Sequence, residues 1–561
     1  MKRILLATVL SLIAGSTACT STRQDGASLA GPTENGARLY RGVDRYHRPI
    51  KTSSQEAQRW YDQGIQFLYA FNHDEAVRSF EEAARHDPAS PMPWWGIAYA
   101  HGININDPAM SEDRWRLATD AAAEARQRRA NASPADQALI DAIGARYTYP
   151  PPADPKPYHE AYTAAMRRAY ESFPDDPDVA SLYAESMMDL QPWDYWTKDG
   201  QPRGQILTIV DVLEKTLARY PDHPGACHFY IHAVEASQTP ERAIAAADRL
   251  RDRVPGAGHL VHMPSHIDVR VGQYAKAADA NARATQVDRT YLEQHPEVNY
   301  YYLYVAHNRH FLAYAAMMEA RYQTAIAAAR DLQHAIPDPI LRKMAPAIEG
   351  LVATHYHVMI RFGKWEDILR EPLPPEHLLM TRAVHWYARS IAYSATGRTS
   401  LAREEIAKFD EAAAKIPADY MLFNNKVSTI MPIARAMLEG ELAFREGRYD
   451  EAFESLRQGA VAEDALIYDE PPGWMIPVRH AWGALLMSAK RYDQAEQVYR
   501  EDLVRNRENG WGLLGLQNAL NAQGKCDEAD TLSPRIATAW ARADVKPTSS
   551  CMCEPGQLAT R

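Results

Sequence analysis

The chain has 561 residues, of which 46% are hydrophobic and 24% charged, and a formal net charge of -10. This is an ordinary globular composition, but the length exceeds what one compact core sustains, so several domains or a repeat array are expected. Net negative charge without a basic, aromatic-interleaved stripe excludes a nucleic-acid binder, and no Gly-rich phosphate loop, HExxH or GxSxG motif is present.

From the N-terminus, Lys2 and Arg3, the apolar run from Ile4 to Ala14 and the small residues ending at Cys19 predict an export signal over residues 1–18. The stretch "STAC" resembles a bacterial lipobox, with Ser16 where that motif usually has Leu. A lipid on Cys19 is therefore expected, with plain cleavage after Ala18 as the alternative. No other segment has the roughly 18 uncharged apolar residues that a membrane-spanning helix needs, so that lipid is the expected sole membrane contact of a periplasmic or envelope protein. Residues 19–50, rich in Ser, Thr, Gly and charge without helical periodicity, predict a flexible tether.

The next segment, "WYDQGIQFLYAFNHDEAVRSFEEAARHDP", places Trp60, Gly64, Phe67, Ala76, Phe80, Ala83 and Pro88 at spacings that recur along the chain. Ala76, Ala243, Ala277, Ala325, Ile368, Ala402, Ala452 and Ala495 can all fill one small-residue position. On these residues the chain resembles the tetratricopeptide repeat family over about residues 52 to 535, strongly at both ends and more loosely between 110 and 220. The resemblance implies an all-α, right-handed α-solenoid of antiparallel helix pairs over residues 51–540, with a C-terminal tail at 541–561. Five stretches are too long for the bare repeat: "HGININDPAMSED", "YTYPPPADPKPYHE", "LQPWDYWTKDGQPRG", "TYLEQHPEVNYYYLY" and "LIYDEPPGWMIP". Being rich in Trp, Tyr, Pro and Asn, they predict ordered loops that either seal gaps between units or cover a groove.

In this family the first helix of each unit lines the concave face through positions 2, 5, 9, 12 and 13. With Ala243, Ala277 and Ala325 set at position 20, His228, His232 and Glu235 fall on positions 5, 9 and 12 of one unit. His259, His262 and His266 take positions 2, 5 and 9 of the next, and His307 and His310 positions 2 and 5 of a third. Seven of these fifteen positions are histidine, where the overall frequency of 20 in 561 would supply fewer than one. Steps of three and four residues keep side chains on one side of a helix. Neutral imidazole binds copper, iron, zinc and nickel, and an i, i+4 pair can clasp one ion. The seven histidines are therefore expected to bind metal, with Glu235 as a ligand or general base and the aromatic loops as a lid. His101, beside an insertion, is a weaker candidate, and His357 and His480 are read as ordinary polar residues.

Three functions follow. A metal-dependent oxidoreductase using copper or iron is favoured because the site is poor in carboxylates. A non-catalytic envelope scaffold holding a peptide or protein is the alternative, and a zinc-dependent hydrolase a further one. The partner is an unknown small molecule or peptide in the groove. Among the cysteines, Cys526 bonded to Cys551 or Cys553 would tie down the tail, with free thiols the competing expectation.

Overall fold

A computed structural model describes residues 26, 31–33, 36–296 and 299–553. The signal segment and Cys19 lie outside the described residues. The described chain is an all-α array of antiparallel helix pairs, running from Gln55–Tyr69 against His73–His86 to Gly510–Ala522 against Cys526–Ala539. Its one sheet is a two-stranded hairpin, Met421–Leu422 with Asn425–Lys426. Among the described residues no helix is long and apolar enough to cross a membrane.

Close packing explains the repeat residues. All eight small-residue positions from Ala76 to Ala495 are fully buried. In the first unit Phe80 fills the space between helices, and a Cβ added at Gly64 would lie 2.5 Å from its ring. Helix starts follow local chemistry: Ser54, Ser111 and Asp176 accept backbone N–H groups as caps, and Pro91, Pro177 and Pro224 occupy first-turn positions where no N–H is needed.

The array also closes on itself. Trp511 and Trp540 donate their indole N–H groups to the carbonyls of Met317 (2.9 Å) and Met318 (3.2 Å), and Arg542 pairs with Glu319 (2.8 Å) and Asp279 (2.7 Å). The last units therefore pack on the central ones. The long insertions complete the closure: Trp193 donates to the Ile105 carbonyl (3.0 Å), Trp196 to that of Ala233 (2.8 Å), Tyr300 to that of Asn106, and Asn425 to Asp469 (2.6 Å).

Three expectations need correction. Composition predicts a tether over 19–50, but residues 36–50 are strapped to the array. Gln63 accepts from the Tyr40 N–H (2.8 Å), and buried Arg48 pairs with Asp136 and Asp178, each at 2.7 Å. Side chains distant in sequence supply the partners that an aperiodic segment lacks. The tail is likewise packed as far as residue 553, with Ser550 donating to the His480 carbonyl (2.7 Å). Cys551 bonds Cys553, while Cys526 is free and exposed.

Gly64→Ala should lower stability by about 1–3 kcal/mol through overpacking on Phe80, read as a fall in Tm. Phe80→Leu in the same chain should recover part of it, and an unchanged Tm for Gly64→Ala would show that the space is not tight.

Candidate metal centre

The histidines come from three first helices. His228 and His232 lie in Pro224–Val234, with Glu235 at its end; His307 lies in Tyr301–Met318. His259, His262 and His266 lie in two short helices, Gly258–His262 and Pro264–Arg270. Pro264 has no N–H to give the preceding turn, so this first helix is split in two, yet the shared face survives.

Six imidazoles converge in two sets, His228 with His232 and His259, and His262 with His266 and His307; within each set one nitrogen per residue lies within 4.8 Å of the others. His232, Glu235 and His266 form a third set that joins the first two. Neighbouring rings of the two triads are 5.8 Å apart between His259 and His262, and 5.6 Å between His232 and His266. His310 belongs to none of these sets among the described residues. Its ring lies 5.9 Å from Phe423, which also packs on His307 at 5.2 Å. His101 lies with His73 and Arg114, where burial holds it down to about 4. His480 is a satisfied core residue, donating to Asp502 (2.9 Å) and accepting from Arg361 (2.9 Å).

Hydrogen bonds fix which nitrogens are free. Glu235 accepts from His232 Nδ1 (2.7 Å) with one oxygen and from His266 Nδ1 with the other. Carboxylates and carbonyls only accept, so both Nδ1 atoms carry the hydrogen and both Nε2 atoms present lone pairs. The Tyr69 carbonyl does the same for His228 (2.7 Å). Asn281 does it for His262 (2.8 Å), its amide oriented by donation to the Ala277 carbonyl (2.9 Å). These are the outer contacts that orient imidazole ligands in metal sites. Glu235 orients both imidazoles with its two oxygens and also belongs to the set it forms with His232 and His266.

Burial favours the neutral form most strongly at four of the six imidazoles: it pushes His228, His259, His262 and His307 well below the usual imidazole range, and neighbouring imidazoles add to this. Burial alone would raise Glu235, but His266 and His232 overcome it and hold the carboxyl at about 2.

The aromatic surround was only partly legible. Tyr304 lies 4.5 Å from His259 and Trp193 5.2 Å from His232, both from the expected insertions. Tyr468 comes from a third expected insertion, whereas Phe71, Asn281, Phe311 and Phe423 are additions. Phe71 packs on His228 (4.6 Å) and stacks on His259 (5.7 Å) from a turn with φ 53°. A left-handed conformation costs a non-glycine residue about 1–2 kcal/mol, and Gly272, Gly397 and Gly447 occupy comparable turns. An aromatic residue in place of that recurring glycine was a readable signal.

No family model and no curated protein matches the chain. Among solved structures it is similar to the human IFIT1 dimer with m7Gppp-AAAA, at 13% identity over 87% of this chain and 91% of that one, with a TM-score of 0.30. It is also similar to yeast Tom70, at 11% over 86% and 90% with a TM-score of 0.28. A third similarity is to the P58(IPK) TPR domain, at 14% over 61% and 93% with a TM-score of 0.17. None of these bears on what this chain binds.

In metal-free protein, unfolding returns the buried imidazoles to their ordinary value near 6.5, so the unfolded chain binds protons that the folded chain refuses. Stability should be full above that pH and fall below it, by up to about 1.4 kcal/mol per pH unit for each group. Tm measured from pH 7.5 to 5.5 should drop steeply, whereas a flat profile would indicate solvated imidazoles.

Proposed function

We propose that this chain is a metalloprotein holding two transition-metal ions in the closed groove of its helical array, one on each histidine triad, and acting as an oxidoreductase on a small molecule. One observation carries the reading. The Nε2 atoms of His262 and His266 approach to 2.7 Å while the Nδ1 hydrogen of each is fixed elsewhere, by Asn281 and by Glu235. Two lone pairs at that separation repel unless they share a proton or a metal cation, and beside two further imidazole donors the metal is the reading we propose. His228 and His259 also bring their Nε2 atoms to 3.1 Å, but there only His228 has its Nδ1 hydrogen fixed elsewhere, by the Tyr69 carbonyl, so His259 can donate to His228 without a cation.

Copper is the favoured metal and iron the second choice, because the triads offer borderline nitrogen donors and Glu235 is spent on orientation. Bound copper would supply one- or two-electron redox chemistry. The protein's own part is to fix the tautomers of His228, His232, His262 and His266, exclude water with Phe71, Trp193 and Tyr304, and hold His228, His259, His262 and His307 uncharged by burial. The zinc hydrolase reading is weaker, since no carboxylate among the described donor sets is free to act as base. A second reading, a scaffold that binds a peptide or protein in the groove, draws on a cavity of about 1190 Å³ beside the histidines.

The proposal includes location. Residues 1–19 support export and a lipid anchor on Cys19, and an oxidising compartment would preserve the Cys551–Cys553 bond.

Purified protein should contain about two ions per chain by elemental analysis, in keeping with two three-ligand sets, and a redox-metal spectrum. His262→Ala and His266→Ala should each lose metal sharply, while His86→Ala and His334→Ala, outside the groove, should retain it; helical content should survive in all four. Equal metal in all four would sink the site, and a metal-free protein with bound peptide would favour the scaffold. For location, Cys19→Ser should release the protein from membranes, and unchanged membrane association would overturn the anchor.

A further inference from the structure

The 1190 Å³ cavity opens between the insertions at residues 191–205 and 463–477, and its wall includes Trp193, Arg270, Tyr468 and Glu470. The histidines do not line it, but two of its wall residues touch the cluster: Trp193 lies on the His232 ring at 5.2 Å, and the Tyr468 hydroxyl is 3.5 Å from Glu235 Oε2. Most charges along the wall are already paired. Arg479 pairs with Asp464 (2.8 Å), Arg203 with Asp194 (2.6 Å), Arg507 with Glu241 (3.2 Å) and Asp502 with His480 (2.9 Å).

Two groups are not. Arg270 makes no ion pair among the described residues; it donates one bond to the Ser237 carbonyl (3.0 Å), sits over the Tyr468 ring at 5.4 Å, and leaves its buried Nε without a partner. Glu470, 6% exposed, accepts from the Tyr468 hydroxyl (2.5 Å), but its Oε2 has no partner. Burial pushes that carboxyl up to about 7, so near neutrality it does not fully neutralise the guanidinium. A cation and a carboxyl that share one wall without pairing leave room for a group between them. Arg270 also follows His266 by one helical turn on the same face, so an anion held there stands beside the second triad.

We propose that the cavity binds an aromatic carboxylate, its carboxylate held by Arg270, its ring on the wall formed by Trp193 and Tyr468, and a polar hydrogen donated to Glu470. Guanidinium is the side chain best matched to a carboxylate, and the aromatic wall suits a flat apolar body. This substrate class rests on the proposed metal centre for its chemical use, but binding itself is measurable without turnover.

The test uses the full chain, metal-loaded and after chelation, with 4-hydroxyphenylacetate and its neutral amide as probes, followed by calorimetry and tryptophan fluorescence. The acid should bind at least about tenfold more tightly than the amide, and Arg270→Gln should remove that difference while leaving amide binding and metal content as in the parent. Arg270→Lys, which keeps the charge, should retain part of the preference, and Arg249→Gln on the outer surface all of it. Equal binding of acid and amide, binding of neither, or undiminished preference in Arg270→Gln would overturn the assignment. Metal binding without acid preference would overturn this inference alone; acid preference in a protein that binds no metal would leave it standing and remove the proposed oxidoreductase.

Discussion

The shared carboxylate of Glu235 is the constraint on which the rest of the centre depends. It joins His232 of one repeat to His266 of the next, so the register between two units is set by hydrogen bonds as well as packing. An ionised carboxyl that is 1% exposed must have its desolvation offset by good donors, and the two imidazole N–H groups provide them. The same bonds decide the tautomers. Once both Nδ1 atoms donate to Glu235, the Nε2 atoms are the ones left for other contacts, as His266 Nε2 makes with His262 Nε2 at 2.7 Å.

Closure of the array makes that arrangement consequential. In an open concave face these imidazoles would be hydrated and would titrate normally. Here the last units pack back on the centre through Trp511, Trp540 and Arg542, and the insertions fill the mouth. The low-dielectric interior disfavours protonated imidazole and strengthens any interaction with a bound cation. Phe71 takes the left-handed turn that Ala320 and Lys490 also take, and that turn lays its ring across His228 and His259. Access is left at one side, where Arg270 and Glu470 stand unpaired with each other beside the Trp193 edge.

The repeat frame carried the site reading a long way. Because a helical unit presents the same positions to the groove each time, residue number translates into direction, and six of the seven named histidines meet as that frame requires. His310 does not join them: it lies against Phe423, which His307 also touches, although its repeat position is the one His262 holds in the unit before. Phe423 itself follows a two-residue strand in a loop with no repeat register, so no frame reaches it.

What the sequence determined by itself was periodic: the helix pairs, their buried alanines, the aromatic insertions and the shared face of the histidines, all set by spacings of three, four and about 34 residues. Tertiary structure alone decided what depends on partners distant along the chain. The strap at residues 36–50 needs Gln63, Asp136 and Asp178; the tail needs Glu319 and His480; the histidine tautomers need Tyr69 and Asn281. Local spacing fixes the direction of a side chain because helix geometry is uniform. It does not fix which acceptor waits at the far end, because that acceptor is delivered by the closure of the whole array.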